Sequence, residues 1–223
     1  MRILGIDTST ERLVVGIYDG AKVYGYSLIL GRRMDELLAS HIQRILNTLS
    51  LKAQDFDYFA CGVGPGSFTG IRIGVAFIKG LAWGAKKKVL GIGSLDMLAF
   101  SAQVDGRLVA IKDARRGLLY CAVFQRKGGI IRRSRGPRLL SLEELLLFCG
   151  GRPIFLGDGL SLYQKEIMLK VRGARFLDSD YWQIRPEAII NLALAKLKQK
   201  KAEDASSLQA VYLYPAACQV RKP

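Results

Sequence analysis

Ile3-Leu4-Gly5-Ile6-Asp7-Thr8-Ser9-Thr10 (ILGIDTST), followed by Leu13-Val14-Val15-Gly16-Ile17-Tyr18, is an apolar run that stops at an aspartate turn and then resumes. Two short apolar runs joined by such a turn and closed by Asp19-Gly20 predict a β-hairpin with buried strands. Residues 23–30 read as a third strand. Met34, Leu37, Leu38, Ile42, Ile45, Leu46 and Leu49 then recur at helical spacing, which predicts an amphipathic helix. Displacing the sequence by 106 residues lays Asp7 on Asp113, Leu13 on Leu119, Val15 on Cys121, Ile17 on Val123 and Tyr18 on Phe124. The chain therefore restarts, and self-similarity at that distance predicts a duplicated lobe.

Between the copies, residues 59–63 form a further strand broken by Gly64-Pro65-Gly66. Ser67 caps a helix running to about Gly84, residues 89–92 give the next strand, and Ser94 caps a short helix. Val104-Asp105-Gly106 marks the boundary, giving lobes of residues 1–104 and 105–223. The second copy continues into helices at residues 142–149, 163–171 and 186–200. The predicted class is α/β: two lobes, each a mixed sheet with flanking helices, the second abbreviated. By resemblance, that is the actin-like (ribonuclease H-like) architecture.

Composition limits the function. With 223 residues, half of them hydrophobic and 24% charged, the chain has the makeup of a packed protein. No apolar stretch reaches the roughly 18 to 20 residues of a membrane span. Cys61, Cys121, Cys149 and Cys218 lie far apart with no CxxC pair, as reduced core cysteines do, so the expected compartment is the cytoplasm. A net charge of +15 is the unusual feature. It attracts phosphate-rich partners, nucleic acid first, or it is simply a basic solvated surface. The clusters are Lys86 to Lys88, Arg115-Arg116, Arg132-Arg133 with Arg135 and Arg138, and Lys196 to Lys201.

Gly64-Pro65-Gly66-Ser67-Phe68-Thr69-Gly70 opens a helix and admits two readings: backbone N–H groups that suit an anion, or a tight turn with a close helix crossing. It is not a Walker A loop, because Ile71-Arg72 follows Gly70 where Lys and Ser or Thr would hold phosphate and magnesium. The helix beyond is apolar almost all round, interrupted by Arg72 and Lys79, and Gly66, Gly70 and Gly74 would admit another backbone. The preceding helix carries two apolar stripes, one of them Met34, Leu38, His41 and Ile45. Together the two helices predict an interface with another protein, a sister copy or a different subunit. Its residues are Met34, Leu38, His41, Ile45, Gly66, Ser67, Gly70, Arg72, Gly74, Phe77 and Ile78.

His41 is the only histidine, so a metal site with two imidazoles, or a histidine-paired nucleophile beside a histidine-held metal, is excluded by counting. Neither a catalytic residue nor a metal ligand is predicted. Asp7, Asp113 and Asp158 fall at strand ends or in glycine-rich turns, where aspartate caps local N–H groups or contacts magnesium or nucleotide. The anion or nucleotide candidates are Asp7, Thr8, Ser9, Gly64, Gly66, Ser67, Asp113, Gly157, Asp158 and Gly159. Asp7-Thr8-Ser9-Thr10 resembles the first phosphate loop of actin-like kinases, and Gly157-Asp158-Gly159 the adenosine-contacting turn. At the second phosphate loop, Asp113-Ala114-Arg115-Arg116 departs from that pattern with two bulky cations.

Taken together, ILGIDTST (3–10), GVGPGSFTGIRIG (62–74), GIGSLDMLA (91–99), IKDARRGLLY (111–120) and GDGLSLY (157–163) resemble the TsaB family of tRNA threonylcarbamoyladenosine biosynthesis proteins over essentially the whole chain. The family, also known as YeaZ and as glycoprotease-like, implies a partner subunit without chemistry of its own. It pairs through its N-terminal lobe with a TsaD-like catalytic subunit and is joined by a TsaE-like ATPase. The complex places threonylcarbamoyl on the adenosine beside the anticodon of tRNAs reading codons that begin with adenine. ATP and magnesium would belong to the assembled complex, with no cofactor held by this chain. The catalytic relative has two metal-binding histidines where Ser94 and Leu98 stand here. The alternative is an actin-like small-molecule kinase. Arg32 to Glu36 and Tyr214 to Cys218 depart from the family pattern. The basicity adds an expectation specific to this sequence: direct tRNA contact through Arg115, Arg116 or Lys86 to Lys88.

Overall fold

A computed structural model of the chain describes residues 1–215. By contacts it divides into one unit of Met1–Met97 with Arg185–Val211 and a second of Leu98–Ile184 with, among the described residues, 212–215.

The first unit is built on a five-stranded sheet of order β3-β2-β1-β4-β5. The strands are β1 (Ile3–Asp7), β2 (Arg12–Tyr18), β3 (Val23–Ile29), β4 (Tyr58–Gly64) and β5 (Lys88–Gly93). β1, β2 and β3 pair antiparallel as successive hairpins, while β4 and β5 join β1 in parallel. Helices α1 (Met34–Thr48) and α2 (Phe68–Ala85) supply the parallel crossovers and cover one face. Beneath them Leu4, Ile6, Leu13, Val15 and Ile17 point into a core shared with Leu38, Ile42, Ile71 and Ile78. α2 runs one residue past the expected Gly84 and closes on Lys86, which takes a left-handed φ of 56°.

The other face is covered by α6 (Pro186–Lys198). The expected boundary at 104/105 assigns this helix to the second lobe; the contacts put it on the first sheet. The reason is a row of glycines. Gly5 pairs with Gly16 and Gly16 with Gly25, so three adjacent strands lack side chains at one level of the sheet. A Cβ on Gly16 would stand 2.7 Å from Pro186 O and 2.8 Å from Ile190 Cγ1. One on Gly25 would stand 2.8 Å from Pro186 Cβ. The first turn of α6 sits in the strip those glycines leave bare, and Lys196, from the basic run at 196–201, donates to Gly91 O of β5 at 2.5 Å.

The second unit repeats the topology, with order β8-β7-β6-β9-β10. Its strands are β6 (Gly106–Arg115), β7 (Leu118–Lys127), β8 (Ile130–Leu140), β9 (Pro153–Leu156) and β10 (Arg175–Phe176). β6 to β8 are antiparallel; β9 and β10 run parallel to β6. α4 (Leu142–Cys149), opened by a Ser141/Glu144 capping box, and α5 (Leu160–Lys170) cover the core of Val109, Ile111, Leu119, Cys121, Val123 and Phe155. The short α3 (Ser94–Ser101) leads into this unit. The duplication holds to within one residue: Asp7 pairs with Val14, seven positions on, whereas Asp113 pairs with Leu119, six on, and a bulge follows at Arg115.

Candidate functional site

At the end of β1, Asp7, Thr8 and Ser9 are all buried. Asp7 Oδ1 accepts from Ser9 N at 3.1 Å and from Ser9 Oγ at 2.8 Å, and Oδ2 accepts from Ser94 Oγ at 3.0 Å. The carboxylate lies over Gly62, where a Cβ would come within 1.9 Å of Oδ2. Thr8 Oγ1 donates to Gly70 O at 2.7 Å. α2 is drawn so close that a Cβ on Gly70 would stand 2.1 Å from Thr8 O, and one on Gly74 2.2 Å from Thr8 Oγ1. Ser67 N donates to Ser9 O at 2.8 Å, and Ser67 Oγ caps the helix by accepting from Gly70 N at 3.2 Å. Of the two readings of the glycine-rich loop, this geometry is the close helix crossing: Gly70 and Gly74 admit the Thr8 turn. Gly64, at φ +100°, begins the loop beside Ile71. Burial, with the Asp7 charge in second place, pushes the Cys61 thiol up, and burial does the same to Cys121. With the free, buried Cys149 they are the reduced core cysteines expected; Cys218 lies outside the described residues.

The matching turn in the second unit is built differently. Asp113 N donates to Asp158 Oδ1 at 3.0 Å. The Asp113 carboxylate accepts from Arg115 N at 2.7 Å and pairs with the exposed Arg115 guanidinium at 3.2 Å. Arg116 and Gly117, at φ +57° and +73°, form a two-residue hairpin of the type I′ sort, and Arg115 is also left-handed at +67°. Tyr214 Oη donates to Ala114 O at 2.9 Å behind it. Gly157, at φ +112°, lies against β6 so closely that a Cβ would stand 2.0 Å from Ile111 O, and one on Gly159 would meet Leu119 Cδ2 at 2.8 Å. In the first unit the Asp7, Thr8 and Ser9 side chains and the Ser67 and Gly70 amides are bonded within the chain; in the second, a tight hairpin carries Arg115 and Arg116. Among the described residues no three His, Cys, Asp or Glu side chains gather to hold a metal. Ser94 gives its hydroxyl to Asp7, and Leu98 is buried.

The expected helical interface divides in two. Met34, Leu38, Ile45, Ile78, Gly70 and Gly74 are buried in the lobe's own core, because its sheet needs both helices as cover. His41 and Phe77 are half-buried, Gly66 likewise, and Ser67 and Arg72 are exposed. The Arg72 guanidinium lies 3.8 Å over the Phe68 ring. What α2 leaves outward is a set of exposed apolar and small residues that the sequence pattern does not single out: Phe68, Ala76, Gly80, Trp83 and Gly84. Trp83 is 83% exposed, and nothing lies within 4 Å of a Cβ on Gly80 or Gly84. Four-residue spacing of small residues carried the signal, but Gly74 is spent inside whereas Gly80 and Gly84 are not.

Paired sheets of this order, each with an aspartate turn at the end of its first strand, define the two-lobed, actin-like class of α/β protein. The family model described as "TsaD: tRNA N6-adenosine threonylcarbamoyltransferase" matches residues 29–163. The tRNA threonylcarbamoyladenosine biosynthesis protein TsaB of Escherichia coli (strain K12) is 38% identical over 220 residues, 96% of this chain and 94% of that protein. Its counterpart in Bacillus subtilis (strain 168) is 30% identical over 226 residues, 99% and 97%. A crystal structure from Pseudomonas aeruginosa, described as an uncharacterized protein with similarity to peptidase YeaZ, superposes with a TM-score of 0.84 at 25% identity. The match covers 96% of this chain and 99% of that one. The chain belongs to the TsaB family of tRNA threonylcarbamoyladenosine biosynthesis proteins.

Proposed function

We propose that this chain is the non-catalytic partner subunit of a TsaD-type threonylcarbamoyltransferase and serves the formation of N6-threonylcarbamoyladenosine beside the anticodon of tRNA, in the cytoplasm. The observation that carries the reading is the likeness to TsaB proteins along nearly the full chain. The outward residues of α2 support it, since exposed aromatic and small residues on a helix are what a packed partner helix uses. The TsaD-type subunit docks there in this reading, and a second copy of the chain competes for the same residues when that subunit is absent. The chain by itself holds no nucleotide; ATP and magnesium enter with a TsaE-like ATPase.

The test is co-purification with the TsaD-type protein of the same cell. Trp83→Glu and Gly80→Arg change exposed positions and leave the fold intact, and each weakens the complex by about tenfold or more, with tRNA modification falling in parallel. Gly74→Arg would report only unfolding. Variants that bind and modify like wild type would sink the interface. Millimolar magnesium-ATP leaves the melting temperature of the isolated chain unchanged; a rise of several degrees would favour the kinase alternative instead.

A further inference from the structure

The arginines at 132, 135 and 138 are three apart, a spacing that puts alternate side chains on opposite faces of a regular strand. In β8 it does not. Gln125 pairs with Arg132, Val123 with Arg135 and Cys121 with Arg138, because the register shifts twice and β8 carries an extra residue at each shift. Two bulges thus convert a three-residue spacing into the two-residue spacing of β7, and all three arginines stand on the same face as Val123 and Cys121. Neighbours are then about 6.6 Å apart along the strand.

That face ends against α4. The Phe148 ring lies within cation–π reach of two of the arginines, with the Arg135 guanidinium 5.3 Å and the Arg138 guanidinium 5.7 Å from its centroid. Arg135 Nη1 also donates to Phe148 O at 2.6 Å, near the carbonyl end of the helix, where a cation is favoured. This one bond fixes Arg135 and leaves the rest of its five donors for another partner. The three arginines are exposed and have no carboxylate partner among the described residues. Ser134, Gly136 and the Phe148 ring complete a cleft of about 410 Å³ around Arg135 and Arg138.

β8 is the edge of its sheet, and charges alone could serve there to prevent edge-to-edge pairing. An edge guard needs neither a common face nor an aromatic ring shared by two guanidiniums. We infer that the β8 edge, through Arg132, Arg135 and Arg138 with Phe148, is a binding site for the phosphate backbone of the tRNA on which the complex acts. The inference rests on the reading under Proposed function for the identity of the RNA. It moves the expected contact from Arg115, Arg116 and Lys86 to Lys88 onto a surface with built geometry. Arginine suits it because a planar fork engages phosphate in two bonds.

The experiment is fluorescence anisotropy with a labelled, unmodified tRNA transcript whose anticodon is followed by adenosine, titrated with the full chain and with the co-purified complex over about 50 to 300 mM KCl. Changing Arg132, Arg135 and Arg138 together to Gln weakens binding about tenfold or more and makes the slope of log Kd against log salt shallower by about 2 to 3. The matching triple change to Lys keeps the wild-type slope and an intermediate affinity. Unchanged Kd and slope in the Gln variant would overturn the site. So would unaltered tRNA binding accompanied by self-association, which would leave β8 an edge guard, or by loss of the protein complex, which would make it a protein interface. Melting curves of both triple variants confirm that folding is intact. If wild type forms no complex at all, the functional reading falls while the titration of the chain alone still decides the site.

Discussion

Asp7 and Asp113 occupy matching places in a duplicated sequence and have become opposite things. Asp7 is buried and spends its carboxylate on three donors, Ser9 N, Ser9 Oγ and Ser94 Oγ. Asp113 steadies a hairpin whose Arg115 is 84% exposed. The same aspartate-after-strand pattern produced both, and what separates them is what lies above the turn. In the first unit α2 crosses Thr8 at glycine distance, and the turn becomes part of the core. In the second, the corresponding close approach is made at Gly157 against Ile111, two residues before the aspartate, and the turn runs on into an exposed two-residue hairpin that meets water.

Four substitutions would break or sharpen the contrast. Gly70→Ala drives a methyl into the Thr8 carbonyl, a backbone atom that cannot swing away, and costs about 3 kcal/mol in urea unfolding. Asp7→Ala strands buried donors and costs about 2 to 3 kcal/mol by the same measurement. Arg116→Asn changes sign: it creates Asn-Gly in a hairpin with two positive φ angles and stabilises by about 0.5 to 1 kcal/mol, read as a higher melting temperature. Asp113→Ala removes an ion pair screened by water and a turn bond, and costs about 0.5 kcal/mol. If Asp113→Ala proved as costly as Asp7→Ala, the two turns would not differ as described.

The hairpins, the Ser67 cap and the restart at Asp113 were legible because each is a local pattern with a local cause. The helical stripes were legible as apolar but not as to what they face. Met34, Leu38 and Ile78 meet their own sheet, whereas Trp83, counted as one more apolar residue on an all-round helix, faces outward. Periodicity gives a helix its faces and leaves open which neighbour takes each. The α6 docking was hidden for another reason: Gly5, Gly16 and Gly25 are unremarkable until the strand register sets them side by side. β8 was missed because four arginines and Gly136-Pro137 disguise a strand that lies at an edge and need not be apolar.

The helix that fills the glycine row belongs to residues 186–198, yet the sheet it covers is complete by Gly93. During synthesis, about a hundred further residues must therefore be added before the first sheet can close its second face. At about 5 to 20 residues per second, that is a wait of roughly 5 to 20 s on the ribosome. The nascent first half leaves the exit tunnel with an uncovered strip of backbone, so its maturation is paced by translation of the far end of the message.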